Sequence, residues 1–293
     1  MITYRQGATP LHAARATVVI VWGAALAGAT LAAGHPLALG AVAVIVGVAA
    51  ARAGVLRPVL RASLFALPAV LFIALANPLL VRDGLTVIYR LGELPPLGQV
   101  DITLEATVAG LVLAVRSMLI VAVFALLAAV IDPDEVVRSL RRVSFRGALT
   151  AVLAMRIAPV LARDGRRMAL ARRSRAAAPP TPTTRERVAV VRAVTTGALD
   201  RAVDLAATLE LRGFATAGRV TRVRRPWSRH DVGVAASAAG MLSLLAVAVA
   251  AGAPRVDLYP LLTLHGGALG AVIAVAFVLV ALAPLAARRG VQR

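Results

Sequence analysis

TLEATVAGLVLAVRSMLIVAVFALLAAVIDPDE, residues 103–135, is the stretch whose reading decides the fold. Between Ala106 and Ile131 only Thr107, Arg116 and Ser117 interrupt an apolar run. That run exceeds the roughly 20 apolar residues a helix needs to cross a bilayer core. It stops at Asp132-Pro133-Asp134-Glu135, which supplies a helix N-cap, a proline where the missing N–H costs nothing, and acids at the positive end of the helix dipole. One lipid-phase helix therefore hands over directly to a water-phase one, and the chain alternates between these two regimes.

Composition agrees. Hydrophobic residues make up 59% of 293, and the mean hydropathy is +0.82, more apolar than soluble domains usually are. The fold class is all-α: a polytopic membrane protein with about six transmembrane helices and two long cytoplasmic helices. A net charge of +19 would point to nucleic acid on a soluble fold; here the arginines flank spans, so no nucleic-acid partner is expected. Cysteine is absent, which removes disulfides, thiolate zinc sites and thiol nucleophiles. Lysine is absent too, so no P-loop lysine exists and the chain is not itself a conventional NTPase.

Spans are placed near 16–34, 36–51, 62–80, 103–131, 231–252 and 259–286, the second short enough to be tilted or re-entrant. The first apolar run is longer than a signal-peptide core and reads as a span. Putting both ends of the chain inside the cell leaves 29 arginines on the cytoplasmic side, Arg82, Arg90 and Arg255 outside, and Arg116 within a span. The short inner segments alone carry eight against three, which is the arginine bias expected of inner loops. The expected location is the bacterial cytoplasmic (inner) membrane. The domains are an N-terminal bundle, 1–131; a cytoplasmic region, 132–229; and a C-terminal pair of spans with a basic tail, 230–293.

The cytoplasmic region holds 21 arginines against eight acids. One helix is expected from about Ala148 to Ala177, stopped by Pro179-Pro180-Thr181-Pro182. A second opens at Thr184-Arg185-Glu186, carries Val188, Val191, Ala198, Leu199, Ala202, Leu205, Ala206 and Leu209 as one apolar stripe, and closes at Gly213 in the left-handed conformation. Neither helix is apolar enough to enter lipid. Their stripes have three possible covers: each other, the anionic membrane surface, or another protein.

Little here supports enzyme chemistry, and no catalytic residue is assigned. His12, His35, His230 and His265 are scattered, so no metal site is expected. No serine sits in a nucleophile elbow, and no paired carboxylates lie within a span. Arg116, near the middle of the fourth span, should face protein or water, because a central charge costs about 2.5–3.5 kcal/mol on insertion scales. Asn77-Pro78 reads as the outer end of the third span or as a contact with a partner subunit. Arg175 and Arg212 are the most informative pair. They lie in Ala171-Arg172-Arg173-Ser174-Arg175-Ala176 and Thr208-Leu209-Glu210-Leu211-Arg212-Gly213, each at the end of a long cytoplasmic helix. Arginine there complements the helix dipole; two similar guanidinium-tipped ends also fit docking to carboxylates and carbonyls of a partner.

At these residues the chain resembles the transmembrane T component of energy-coupling factor transporters, the EcfT/CbiQ-like family of ABC importers for vitamins and metal ions. The likeness runs over roughly residues 60–215. It takes in Asn77-Pro78-Leu79-Leu80 with Gly84, the stretch ending Ala114-Val115-Arg116, Asp132-Pro133-Asp134-Glu135, and Arg156-Ile157-Ala158-Pro159. It includes the two Ala-Arg-Gly-like signatures, which here read Ser174-Arg175-Ala176 and Leu211-Arg212-Gly213. The resemblance implies that Arg175 and Arg212, with Arg172, Ser174, Glu210 and Gly213 around them, engage two cytosolic ABC ATPase subunits. It also implies that a small membrane subunit captures the substrate, and that ATP and Mg bind those partners while this chain holds no cofactor. Two other readings stay open from the residues themselves: a secondary transporter, and a membrane-anchored scaffold with a lipid-binding basic region.

Overall fold

The computed structural model describes residues 7, 9–33, 35–81, 85–94, 98–140, 145–174, 183–211, 213, 226–250, 256–257, 263–264 and 267–286. In chain order these form α1 (Pro10–Ala13), α2 (Ala16–Ala32), α3 (Pro36–Arg52), α4 (Leu56–Leu80), β1 (Val87–Leu94), β2 (Gly98–Thr103), α5 (Leu104–Val130), α6 (Pro133–Leu140), α7 (Phe145–Arg173), α8 (Thr184–Leu211), α9 (Arg229–Ala250), β3 (Val256–Asp257), β4 (Thr263–Leu264) and α10 (Gly267–Ala286). The architecture is all-α, with two small antiparallel hairpins, β1–β2 and β3–β4. Chain contacts divide it into two compact units, residues 1–136 with 227–293 and residues 137–226.

In the first unit, α4, α5 and α9 are long and apolar enough to cross a membrane, and α2, α3 and Gly270–Ala286 are shorter apolar helices. Together they make a polytopic membrane bundle. Its core is drawn from α2, α3, α5, α9 and α10, with Trp22, Leu26, Ile45, Val123, Leu126 and Met241 fully enclosed. Because lipid tails are as apolar as leucine, such helices are held by close packing and hydrogen bonds more than by a hydrophobic drive. Gly110 shows this: a Cβ there would lie 2.9 Å from the Ala74 carbonyl oxygen and 3.0 Å from the Asn77 Cβ. The backbones of α4 and α5 meet at that point, and neither of these two atoms is the end of a flexible side chain. α4 otherwise turns outward, burying only Val59, Val70 and Pro78 and leaving Phe65 90% exposed, as suits a lipid-facing helix.

A buried charge cluster ties the chain's two ends together. Ser228 and Asp231 cap α9 reciprocally: the Ser228 N–H donates to Asp231 Oδ2 at 2.9 Å, and the Asp231 N–H donates to Ser228 Oγ at 3.1 Å. The other carboxylate oxygen of Asp231 accepts from the Arg15 N–H at 2.7 Å, just ahead of α2. The Arg15 side chain completes the ion pair, with its Nε 3.2 Å from Asp231 Oδ2, and its guanidinium lies over the Trp227 ring at 5.3 Å.

Several sequence expectations are corrected. The third span begins at Leu56, not at 62. Arg57 and Arg61 belong to its first turns, since arginine is a good helix former and Pro58 falls in the first turn, where no intrahelical donor is needed. Pro78 does not stop that helix, which runs to Leu80, and the Val81 N–H still reaches the Asn77 carbonyl at 2.9 Å. The last helix starts at Gly267, not at 259, because Val256–Asp257 and Thr263–Leu264 pair as strands instead. The β1–β2 hairpin was not anticipated; Val87-Ile88-Tyr89 is a β-favouring run.

Four variants test this packing by thermal unfolding in mild detergent. Gly110→Val should destabilise by about 1–3 kcal/mol, the usual range for overpacking, while Gly197→Val, at a site with no neighbour within 4 Å, should cost less. Asp231→Ala strands Arg15 and should cost about 3 kcal/mol; Arg15→Met combined with Asp231→Leu should recover part of that loss.

Candidate functional site

The second unit is built on α7 and α8. Thr183 caps α8 through a capping box: the Thr183 N–H donates to Glu186 Oε2 at 3.0 Å, and the Glu186 N–H donates to Thr183 Oγ1 at 3.4 Å. Thr183 therefore caps the helix, and Thr184, expected to open it, is its first full member. The far end of α8 closes at Leu211. Gly213 adopts φ +73°, and its N–H reaches the Glu210 carbonyl at 2.9 Å. A side chain at that φ would be strained, which is why glycine ends the helix there. α7 closes at Arg173, short of the expected Ala177; the Ser174 N–H bonds Leu170 O at 3.1 Å and its hydroxyl donates to Ala171 O at 2.9 Å. The hydroxyl competes for a last-turn carbonyl, a known way for serine to end a helix.

The two helices meet at a crossing. Arg201 Nη2 pairs with Asp164 Oδ2 at 3.1 Å, and Gly165 faces Val194. The ion pair is partly exposed, so it steers the crossing more than it stabilises it. Ser174 lies nine or ten residues beyond the crossing on α7 and Leu211 ten beyond it on α8, about 15 Å along each helix at 1.5 Å per residue. Among the residues of these two helix ends, Ser174 and Glu210 are exposed and Arg172 is half-buried. Arg175 and Arg212 themselves lie outside the described residues.

The apolar face of α8 is partly open. Val188, Val191, Leu199 and Val203 are each more than 60% exposed, and α8 buries no residue at all. Ala198, Leu205 and Leu209 of the stripe are half-buried, as are Val194 and Arg201.

In the membrane unit, the Asn77 side chain donates to the Ala106 carbonyl at 2.9 Å, beside the Gly110 contact, and knits α4 to α5. Arg116 Nη2 donates to Ala33 O at 2.6 Å. Ala33 ends α2, so the arginine satisfies one of the carbonyls that a helix end leaves without a partner. This gives the guanidinium a protein acceptor within an apolar helix. Among the described residues no three of His, Asp and Glu converge. His12 Nδ1 is 2.6 Å from Thr9 Oγ1, His35 Nδ1 accepts from the Leu37 N–H, His230 is buried, and His265 lies outside the described residues.

Sequence reasoning missed three features. The Asp231 cluster was signalled by Ser228-x-x-Asp231, a capping-box spacing. Thr183 carried the same signal with Glu186. Glu105, fully buried and accepting the Thr86 N–H with both oxygens at 3.2 Å, had no local signal, because its partner lies across the hairpin.

Residues 7–222 match the family model described as CbiQ, cobalt transport protein. No curated protein matches the chain. The matched segment covers most of the bundle and nearly all of the α7–α8 unit. The chain belongs to the CbiQ cobalt transport protein family, and is a membrane component of a multi-subunit transporter that works with ATPase partners.

Proposed function

We propose that this chain is the coupling subunit of an energy-coupling factor importer. It passes ATP-driven motion from two cytosolic ABC ATPase subunits, which bind ATP and Mg, to a small membrane subunit that captures a vitamin or a metal ion. Cobalt is the cargo named in the family description. The exposed apolar residues of α8, Val188, Val191, Leu199 and Val203, carry the reading. Each helix end offers one ATPase a docking point, with Arg175 as the guanidinium at one and Arg212 at the other. Two points on crossed helices convert an approach of the ATPases into a rotation of the pair, a rigid-body switch between packed arrangements. The stripe between them then carries the substrate-binding subunit along. The orientation follows from the arginine bias, with both ends of the chain and the α7–α8 unit in the cytoplasm and the bundle in the inner membrane.

Affinity isolation in mild detergent should recover the ATPases. Arg175→Glu with Arg212→Glu should reduce that recovery about tenfold or more, a loss of at least ~1.4 kcal/mol. Recovery of a transport-competent chain without ATPase overturns the reading. Val191→Glu with Leu199→Glu should keep the ATPases bound and release the small membrane subunit. In intact cells, an impermeant thiol reagent should fail to label cysteines introduced between positions 184 and 210; labelling there places the unit on the wrong side.

A further inference from the structure

At the end of the bundle away from the Asp231 cluster, α2, α3, α9 and α10 part around a recess of about 120 Å³. It lies at the α2–α3 turn, with Ala33, Ala41, Leu245, Ala274 and Phe277 in its wall and His35 as the one polar side chain among the described residues. The wall is rich in alanine, and small side chains on four facing helices leave space that larger ones would fill. Its size is close to that of apolar protein cavities of roughly 150 Å³ that stay dry and accept benzene. A water would need two to four polar partners there, and the described residues of the wall offer one polar side chain. His35 is 8% exposed. Its Nδ1 accepts the Leu37 N–H at 3.2 Å as the cap of α3, which assigns the proton to Nε2. No described residue accepts from that nitrogen.

Depth identifies the occupant. α2 has 17 residues, about 25 Å at 1.5 Å per residue, so the turn lies where hydrocarbon meets headgroups. Arg116 reaches Ala33 at this level, and α5 continues twelve residues further, about 18 Å, to Leu104. The recess therefore sits within the reach of one leaflet's acyl chains, the apolar molecules most concentrated at that depth.

We propose that this recess is a lipid site: a segment of a phospholipid acyl chain fills it, and the His35 Nε2–H donates to an ester carbonyl at its mouth. The site requires that the chain sit in a bilayer and does not depend on coupling to an ATPase. Bound lipid replaces the missing contacts between the α2–α3 hairpin and the α9–α10 pair and firms the end of the bundle where side chains alone pack loosely.

The test uses the full chain, with any subunits that accompany it, in nanodiscs of phosphatidylethanolamine and phosphatidylglycerol. A trace of phosphatidylcholine carries a diazirine midway along one acyl chain, and photo-adducts are mapped by peptide mass spectrometry. Adducts on residues 29–42 and 270–277 should exceed those on the exposed α4 segment 64–75 by about fivefold, close to the gain from burying one or two methylene groups. Ala274→Leu, which fills the recess, should bring the recess signal down to the α4 level and leave α4 unchanged. Ala41→Leu serves if the first variant does not fold. Equal labelling of recess and α4, or recess labelling that survives filling, overturns the proposal. Recess labelling that appears only after accompanying subunits are stripped away also overturns it, since the occupant is then a protein segment.

Discussion

The carboxylate of Asp231 holds together parts of the chain 216 residues apart. It is fully buried at the start of α9 and bonded both to its own cap and to Arg15 at the start of α2. A buried carboxylate is costly unless its acceptor capacity is met, and here two backbone N–H groups and a guanidinium meet it. The first and fifth apolar helices are thereby fixed start to start, and α10 and α3 pack around them. The entire α7–α8 unit is inserted between the two partners of this ion pair.

The two units obey different physics. In the bundle, cohesion comes from close backbone approach at Gly110, from side chains such as Asn77 and Arg116 that satisfy carbonyls on neighbouring helices, and from a dense core around Trp22 and Ile45. In the α7–α8 unit it comes from caps and a single crossing, with the apolar surface of α8 partly uncovered. The first arrangement makes a frame and the second leaves apolar side chains exposed. That contrast is what a member of the CbiQ family, a membrane component working beside ATPases, should display.

Much of this was legible in the sequence for a physical reason. Apolar runs, arginine flanks and caps are local signals, so α2, α3, α5, α9, the start of α6 at Asp132-Pro133 and the left-handed Gly213 could be read residue by residue. The limits of α4 and α10 were misjudged where polarity and helicity part company. Arg57 and Arg61 are hydrophilic yet helical, and Leu258 to Leu262 is mostly apolar yet precedes the last helix. What lay beyond reach was everything made by contact between distant segments: Arg15 with Asp231, Arg116 with Ala33, Glu105 with Thr86. Arg116 was expected to face protein or water; that its acceptor would be the end of α2 depended on where α2 stops beside α5. The positions of Arg175 and Arg212 were read from helix ends and a family resemblance, and the fold places Arg172, Ser174, Glu210 and Gly213 around those ends.

The bond from Arg116 to Ala33 also sets a step in the bundle's height. α5 is 27 residues long and its partner hairpin only 17 on each side, so hydrophobic girth changes around the perimeter. Lipids beside α2 and α3 meet a short wall, and those beside α4 and α5 a tall one. A bilayer answers such mismatch by local thinning or by tilting the longer helices, at fractions of a kcal/mol per Å. Any neighbouring membrane protein that prefers a thinner or thicker surround therefore senses which side of this chain it approaches before it touches it.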